Sequence, residues 1–274
     1  MSNQPVHARE ESFHDGWAAG TPVEEVHVRE CFEAPTALEN KYILRRMGPL
    51  AGKKLLDIGS GLGESSVYFA LQGAKVTMID ISPGMIEKAK EAGRYHGVEL
   101  EGYAAAGEEL PVGDNEFDIV YVANVIHHVS DRRNLMQGIR RTLKPGGRFF
   151  AFEPLAYNPV INVYRNMATN VRTEDERPLR HADIVMMKEY FDEVECRMFW
   201  LASLTLFLKY YLLDRVHPNA DRYWKRILKE NDSSLWWWKP LLATDTVLTR
   251  LPLVRWLAWN SAITGRKSSP VNVR

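Results

Sequence analysis

The chain has 274 residues, 45% apolar and 26% charged, and its 35 basic residues are balanced by 35 acidic ones. That composition fits one elaborated globular domain with a single large core and excludes a disordered or fibrous chain. A zero net charge gives no global field to gather nucleic acid, so no nucleic-acid partner is expected, and Cys31 and Cys196 are too few for a disulfide framework and stand at no metal-ligand spacing, so no metal is expected. No charged start followed by an apolar run marks a signal peptide, and a reducing cytoplasm is the expected location.

Residues 1 to 12 read as a polar, frayed start. Glu24 to Phe32 and Thr36 to Met47 read as helices separated by Pro35, the second ended by Gly48-Pro49, so that 1–44 forms an N-terminal helical cap. Leu55, Leu56 and Ile58 then give a short buried strand that breaks into Gly59-Ser-Gly-Leu-Gly63 ahead of a helix beginning near Glu64. Such a turn lets the backbone approach a ligand and offers it the free N–H groups of the helix start. The third glycine comes one position early for a dinucleotide fingerprint, and Glu64 stands where that fingerprint needs Gly or Ala. A pyrophosphate would be repelled there, whereas Asp57 suits a ligand carrying positive charge.

Ala74 to Asp80 is a second strand, and an acid at its tip can accept both hydroxyls of a ribose lying across the strand ends. Ser82-Pro-Gly-Met85 opens a helix with Ser82 as N-cap and Pro83 in its first turn. A third strand near Leu100 to Ala105 precedes Ala106-Gly-Glu108. Phe117 to Asn124 is a fourth, followed by Val125-Ile-His-His-Val129. Asp131 to Leu143 is a basic amphipathic helix, and Lys144-Pro-Gly-Gly147 turns into a fifth strand, Arg148 to Glu153.

Asp57-Ile-Gly-Ser-Gly-Leu-Gly63, the strand-tip Asp80 and Leu143-Lys-Pro-Gly-Gly147 together resemble the class I S-adenosylmethionine-dependent methyltransferases, most of all the small-molecule branch that includes the quinone C-methyltransferases. The resemblance covers roughly residues 40 to 200. It implies S-adenosyl-L-methionine as cofactor, held by Asp57, Gly59, Ser60, Gly61, Gly63, Asp80 and Ile81, with Met85 against the adenine and Asn124 and Val125 near the methionine part. The family commonly has an Asp for the adenine amino group where this chain has Ala106; Glu108, or main-chain groups of Ala106 and Gly107, would serve instead. The resemblance also implies that His127 and His128 border the acceptor. Histidine has the pKa range of a general base, so His128 first and His127 second are the catalytic candidates, the alternative being that they pack the next helix. A segment before the first strand often folds over the cofactor in this family, a role for His14 and Trp17 if they are not simply a staple for an N-terminal helix.

After Pro154 an unusual polar density, including Tyr157, Tyr164, Arg165 and Arg172, sits at the carboxyl end of a sheet strand and reads either as a substrate site or as a surface loop. Asp183 to Tyr190 reads as a helix and Val194 to Trp200 as a sixth strand. Residues 201 to 252 combine the apolar run Leu201 to Leu213, the triplet Trp236-Trp-Trp238 and a basic stretch between them. Lys209 and Asp214 make the run too short to span a bilayer, which takes roughly 20 apolar residues. A lid over a hydrophobic acceptor, a peripheral foot on the inner face of a membrane and an ordinary helical layer of the core remain open. Trp256 to Ile263 is expected to return as an antiparallel strand at the sheet edge.

The expectation is one α/β domain with a Rossmann-like, seven-stranded, mostly parallel sheet: cap 1–44, cofactor-binding core 45–200, and helical insertion with final strand 201–274. The expected activity is methylation of a small, lipophilic acceptor on oxygen, nitrogen or carbon. Alternatives are a methyltransferase of a polar metabolite, or a nucleoside-binding protein of the same fold with another activity or none. A dehydrogenase is opposed by the glycine spacing.

Overall fold

The computed structural model describes residues 4–169, 176–230, 233 and 235–269. A seven-stranded sheet with the order β3-β2-β1-β4-β5-β7-β6 forms its frame. The strands are β1 (Lys54–Ile58), β2 (Lys75–Asp80), β3 (Glu101–Ala104), β4 (Phe117–Ala123), β5 (Leu143–Pro154), β6 (Asp192–Phe199) and β7 (Asn260–Arg266). β1 to β5 pair in parallel and β7 is antiparallel to both of its neighbours. The strand order reverses between β1 and β4, and a reversal of this kind opens a crevice beyond the carboxyl ends of the strands. Leu55 to Ile58 are all buried, as befits a strand with neighbours on both sides and helices on both faces.

Helices α3 (Leu38–Met47), α4 (Glu64–Leu71) and α5 (Pro83–Tyr95) share one core cluster on one face. Helices α6 (Arg132–Thr142) and α8 (His181–Met187) share the cluster on the other. A third cluster gathers α7 (Pro159–Met167), α9 (Thr205–Leu212) and α10 (Tyr223–Arg226) around Trp200, Trp238 and Trp259, with α11 (Lys239–Leu248) packed against it. Each large side chain buried there contributes about 1.5–3 kcal/mol, enough to hold the inserted layer as part of the fold.

Three expectations are corrected. From residue 4 the segment expected to be frayed is helical: α1 runs Gln4–Ala19. Its inward side mixes the polar His7, Glu10 and His14 with Phe13, Trp17 and Ala18, so no clean apolar periodicity announces it. In place of a helix over 24–32 there is a 3₁₀ turn, Val23–Glu25, and a single turn of helix α2, Glu30–Glu33. The last strand starts at Asn260 and lies inside the sheet, leaving β6 at the edge. Asn260 to Gly265 are all buried, which requires neighbours on both sides, whereas β6 alternates buried or half-buried residues with exposed ones over much of its length. Of the tryptophan triplet, Trp238 is buried, Trp237 half-buried and Trp236 exposed. Arg172 lies outside the described residues. Among those described, no helix is long and apolar enough to cross a membrane.

Candidate functional site

Beyond β1 the backbone takes positive φ at Gly59, Gly61 and Gly63. A Cβ on Gly59 would lie 2.0 Å from Val125 Cγ2, and one on Gly63 would lie 2.8 Å from Ala89 Cα and Cβ. These two glycines let the turn after β4 and helix α5 approach. At Gly61 a Cβ would meet nothing within 4 Å, so that position faces open space. Gly59 and Ser60 donate their N–H groups to Ile79 O, at 2.7 and 3.2 Å, fastening the loop to the end of β2.

Asp80 holds the other side of the loop. Its Oδ2 accepts from Gly61 N at 2.9 Å and its Oδ1 from Ser82 N at 3.0 Å. Burial raises the Asp80 pKa, and the two N–H bonds oppose that rise. Each oxygen keeps a lone pair, so the carboxylate can bind a diol without giving up the loop. Asp57 differs: it does not line the cavity but turns back to accept from Ser66 Oγ at 2.6 Å, and burial pushes its pKa up to about 7. Any pull of Asp57 on a ligand's positive charge therefore acts from behind the loop.

The loop opens into a cavity of about 370 Å³. Helix α1 roofs it, presenting His7, Glu10, His14 and Trp17 at helical spacing. Asp15 docks the helix, its Oδ1 accepting from Gly84 N at 2.9 Å and from Ser82 Oγ at 2.5 Å at the start of α5. From the opposite side the inserted layer contributes Trp224, Lys225, Ile227 and Leu228. The two halves meet at Trp17, whose ring carries Arg222 at 4.1 Å and Lys225 at 4.4 Å, while Lys225 Nζ also pairs with Glu64 at 3.1 Å.

The histidine pair sits on the turn after β4. Glu153, fully buried at the end of β5, accepts from Val125 N and Ile126 N at 2.8 Å, from His127 N at 3.3 Å, and meets His127 Nδ1 at 2.7 Å. Three backbone donors fix that carboxylate, which in turn fixes the imidazole. Burial lowers the His127 pKa, with the neighbouring His128 adding to the effect. Burial also acts to lower His128, but Glu10, 3.3 Å from its Nδ1, outweighs this together with Glu176 and Glu153, and its pKa is raised. Glu10 also stands 3.5 Å from His14 Nε2.

Of the residues singled out from sequence, Gly59, Ser60, Gly61, Asp80, Ile81, Gly107, Glu108, Asn124, Val125, His127, His128, His14, Trp17, Tyr164 and Arg165 line this one cavity. Gly63, Met85 and Ala106 stand behind it, Met85 wholly inside the core. Tyr157 lies elsewhere, its hydroxyl accepting from His181 N at 3.1 Å and its ring against Trp256. Neither cysteine is poised as a nucleophile, since burial raises both thiol pKa values. Sequence reasoning missed Glu10, Glu153 and Lys225. It also missed Glu39, a cavity-lining acid whose pKa burial raises to about 7 and whose Oε1 accepts from Asn260 Nδ2 at 3.0 Å.

The cavity fits S-adenosylmethionine in three respects. Ser60 Oγ is buried on its wall without a hydrogen-bond partner among the described residues. Asp80 offers lone pairs beside the open Gly61. The acids Glu10, Glu39, Glu64, Asp80, Glu108 and Glu176 outnumber the basic Arg165 and Lys225, as suits a ligand bearing a sulfonium and an ammonium.

A family model described as methyltransferase domain matches residues 56–151. The chain is similar to a ubiquinone biosynthesis O-methyltransferase of Xanthomonas axonopodis, 30% identical over 161 residues that make up 54% of this chain and 64% of the relative. It is also similar to a ubiquinone/menaquinone biosynthesis C-methyltransferase of Psychromonas ingrahamii, 33% identical over 128 residues, 44% of this chain and 51% of the relative. The chain thus spans less than two thirds of these relatives' lengths. Among solved structures, phosphoethanolamine N-methyltransferase 2 of Haemonchus contortus, in complex with phosphomonomethylethanolamine and S-adenosylhomocysteine, superposes with a TM-score of 0.60 at 19% identity, covering 94% of this chain and 60% of that one. That likeness is one of fold.

Proposed function

We propose that the chain, matched by a methyltransferase-domain model over residues 56–151, is a class I S-adenosylmethionine-dependent methyltransferase that transfers the methyl group of S-adenosyl-L-methionine to a small lipophilic acceptor. The single observation that carries this reading is that the glycine loop with Asp80 and the Glu153-held His127 open into the same cavity. The bound cofactor supplies a sulfonium methyl open to in-line displacement. The chain supplies alignment and dryness, an effect that reaches roughly 7 to 11 kcal/mol in well-oriented systems. Asp80 and Gly61 would hold the nucleoside, and α1 and α10 would keep water from the reacting centre.

For an acceptor that must lose a proton, the reading that the geometry supports takes His127 before His128 as the base. Glu153 occupies Nδ1 of His127, so Nε2 is the basic nitrogen, and the lowered pKa keeps it unprotonated at neutral pH. His128, with Glu10 beside it, has its pKa raised and is the more readily protonated of the pair, which suits an electrostatic role toward the acceptor. Phe13, Phe152, Ile161, Leu228 and Trp259 line the same cavity and favour an apolar acceptor, in keeping with the quinone-pathway names of the similar proteins. A lipophilic acceptor partitions into bilayers, so the reading extends to a cytoplasmic protein that contacts the inner face of a membrane through residues 201–252.

Calorimetric titration with S-adenosylhomocysteine, followed by labelled S-adenosylmethionine with a panel of lipophilic phenols and quinones, tests the proposal. Asp80→Asn should weaken cofactor binding by at least about tenfold, since a bond to a charged group is worth about 1.5–3 kcal/mol. Tight binding of NAD, or no binding of S-adenosylhomocysteine, would overturn it.

A further inference from the structure

Helix α11 places its acid inward. Asp245 is buried and accepts from Leu201 N at 3.1 Å, from Ala202 N at 2.5 Å and from Ser203 Oγ, pinning the helix across the start of α9. Around the same helix large apolar side chains face solvent: Trp236 is 74% exposed, Val247 60%, Leu251 46% and Leu253 86%. Exposed apolar residues are ordinary when single, but here they bracket a ten-residue helix about 15 Å long. The charges among them have one sign. From residue 235 to residue 257 the charged side chains are Lys239, Arg250, Arg255 and the inward Asp245. Lys239 and Arg250 are exposed, so from residue 235 to residue 257 the outward charges are basic. The same inserted layer walls the cavity through Trp224, Ile227 and Leu228.

We infer that Trp236 to Leu257 is a docking ridge for an anionic lipid bilayer, with Trp236, Leu251 and Leu253 entering the interface and Lys239 and Arg250 meeting lipid phosphates. Amphipathic rings and leucines at headgroup depth, flanked by basic residues, match the chemistry of an anionic membrane surface. A docked ridge holds the cavity's inserted wall next to the bilayer where a lipophilic acceptor resides. The inference takes its purpose from the proposed function, but the contact is measured without methyl transfer.

The full chain is sedimented with vesicles of phosphatidylcholine alone and of phosphatidylcholine mixed with phosphatidylglycerol. Binding is expected to the mixed vesicles only, to weaken as salt is raised, and to shift tryptophan fluorescence to the blue. The double variant Leu251→Glu/Leu253→Glu should cut the bound fraction by at least about tenfold while leaving S-adenosylhomocysteine affinity unchanged. Arg250→Glu should abolish the preference for anionic vesicles. Absence of binding to mixed vesicles at low salt overturns the inference, as does a double variant that still binds. A concentration-dependent dimer that the double variant abolishes, with no vesicle binding, would assign the ridge to a second copy of the chain. Vesicle binding without methyl transfer to any acceptor would sink the proposed function and leave the ridge standing.

Discussion

Glu153→Gln tests the chemistry most directly, because it changes one oxygen for an NH₂ in a fully buried position. The glutamine oxygen can keep the bonds from Val125 N and Ile126 N at 2.8 Å. Its NH₂ then faces His127 Nδ1, which must become an acceptor, so that the ring proton moves to Nε2 and the basic lone pair is lost from the cavity. One backbone donor, His127 N, loses a 3.3 Å partner, a cost of about 1–2 kcal/mol in stability. The catalytic cost is larger: loss of a general base lowers kcat by about 10²- to 10⁴-fold, or roughly 2.7–5.4 kcal/mol. The assay is kcat for labelled methyl transfer, with cofactor Kd measured separately and the His127 tautomer read by ¹⁵N NMR. The wild-type rate should rise with pH through a His127 pKa that burial places below 6.5. Wild-type kcat in the variant, or a kcat loss matched by lost cofactor affinity, would refute the Glu153–His127 reasoning.

Glu10→Gln should remove a pH-dependent part of stability. The His128 pKa is raised above 6.5, so the stability it contributes is complete below that value and is lost as pH rises through the folded-state pKa. The Tm difference between wild type and Glu10→Gln should therefore shrink as pH is raised from about 6 to about 8, and a constant difference would assign Glu10 to packing alone. Gly61→Ala and Gly63→Ala should separate binding from folding. With φ at +53° and open space around it, Gly61→Ala should cost about 1 kcal/mol of stability but weaken cofactor binding markedly, whereas Gly63→Ala, driven to 2.8 Å from Ala89, should lower Tm severely. Equal melting curves for the two would show that helix α5 yields to the added methyl.

The glycine loop, Asp80 and the first parallel strands were legible because each is a local event, an apolar run ending in glycines or in an acid. Asp57 and Met85 were misplaced relative to the cavity because a motif fixes positions along the chain and not the direction of a side chain. Asp57 turns to Ser66 nine residues later, and Met85 points into the core. Glu153 escaped notice since its partners lie 26 to 28 residues earlier, and only the pairing of β4 with β5 brings them together. Helix α1 was hidden by its own use. Glu10 and His14, which make it functional, are polar residues on its buried side, so the segment read as solvated. The place of β7 depends on the sheet edge left by β6, which no local pattern in residues 256–266 records.

The turn Ser82–Gly84 serves two masters: Ser82 N bonds Asp80, while Ser82 Oγ and Gly84 N bond Asp15 of the roof. Both ligands would share the space beneath that roof, and the seam at Trp17 joins it to the inserted layer. A nucleoside leaving beneath that roof would disturb either Asp15 or the cation-stacked Trp17. Under the proposed function such an exit would give turnover a mechanical step, and acceptors of different intrinsic reactivity should then converge on one ceiling rate, set by how often the amino-terminal helix lifts.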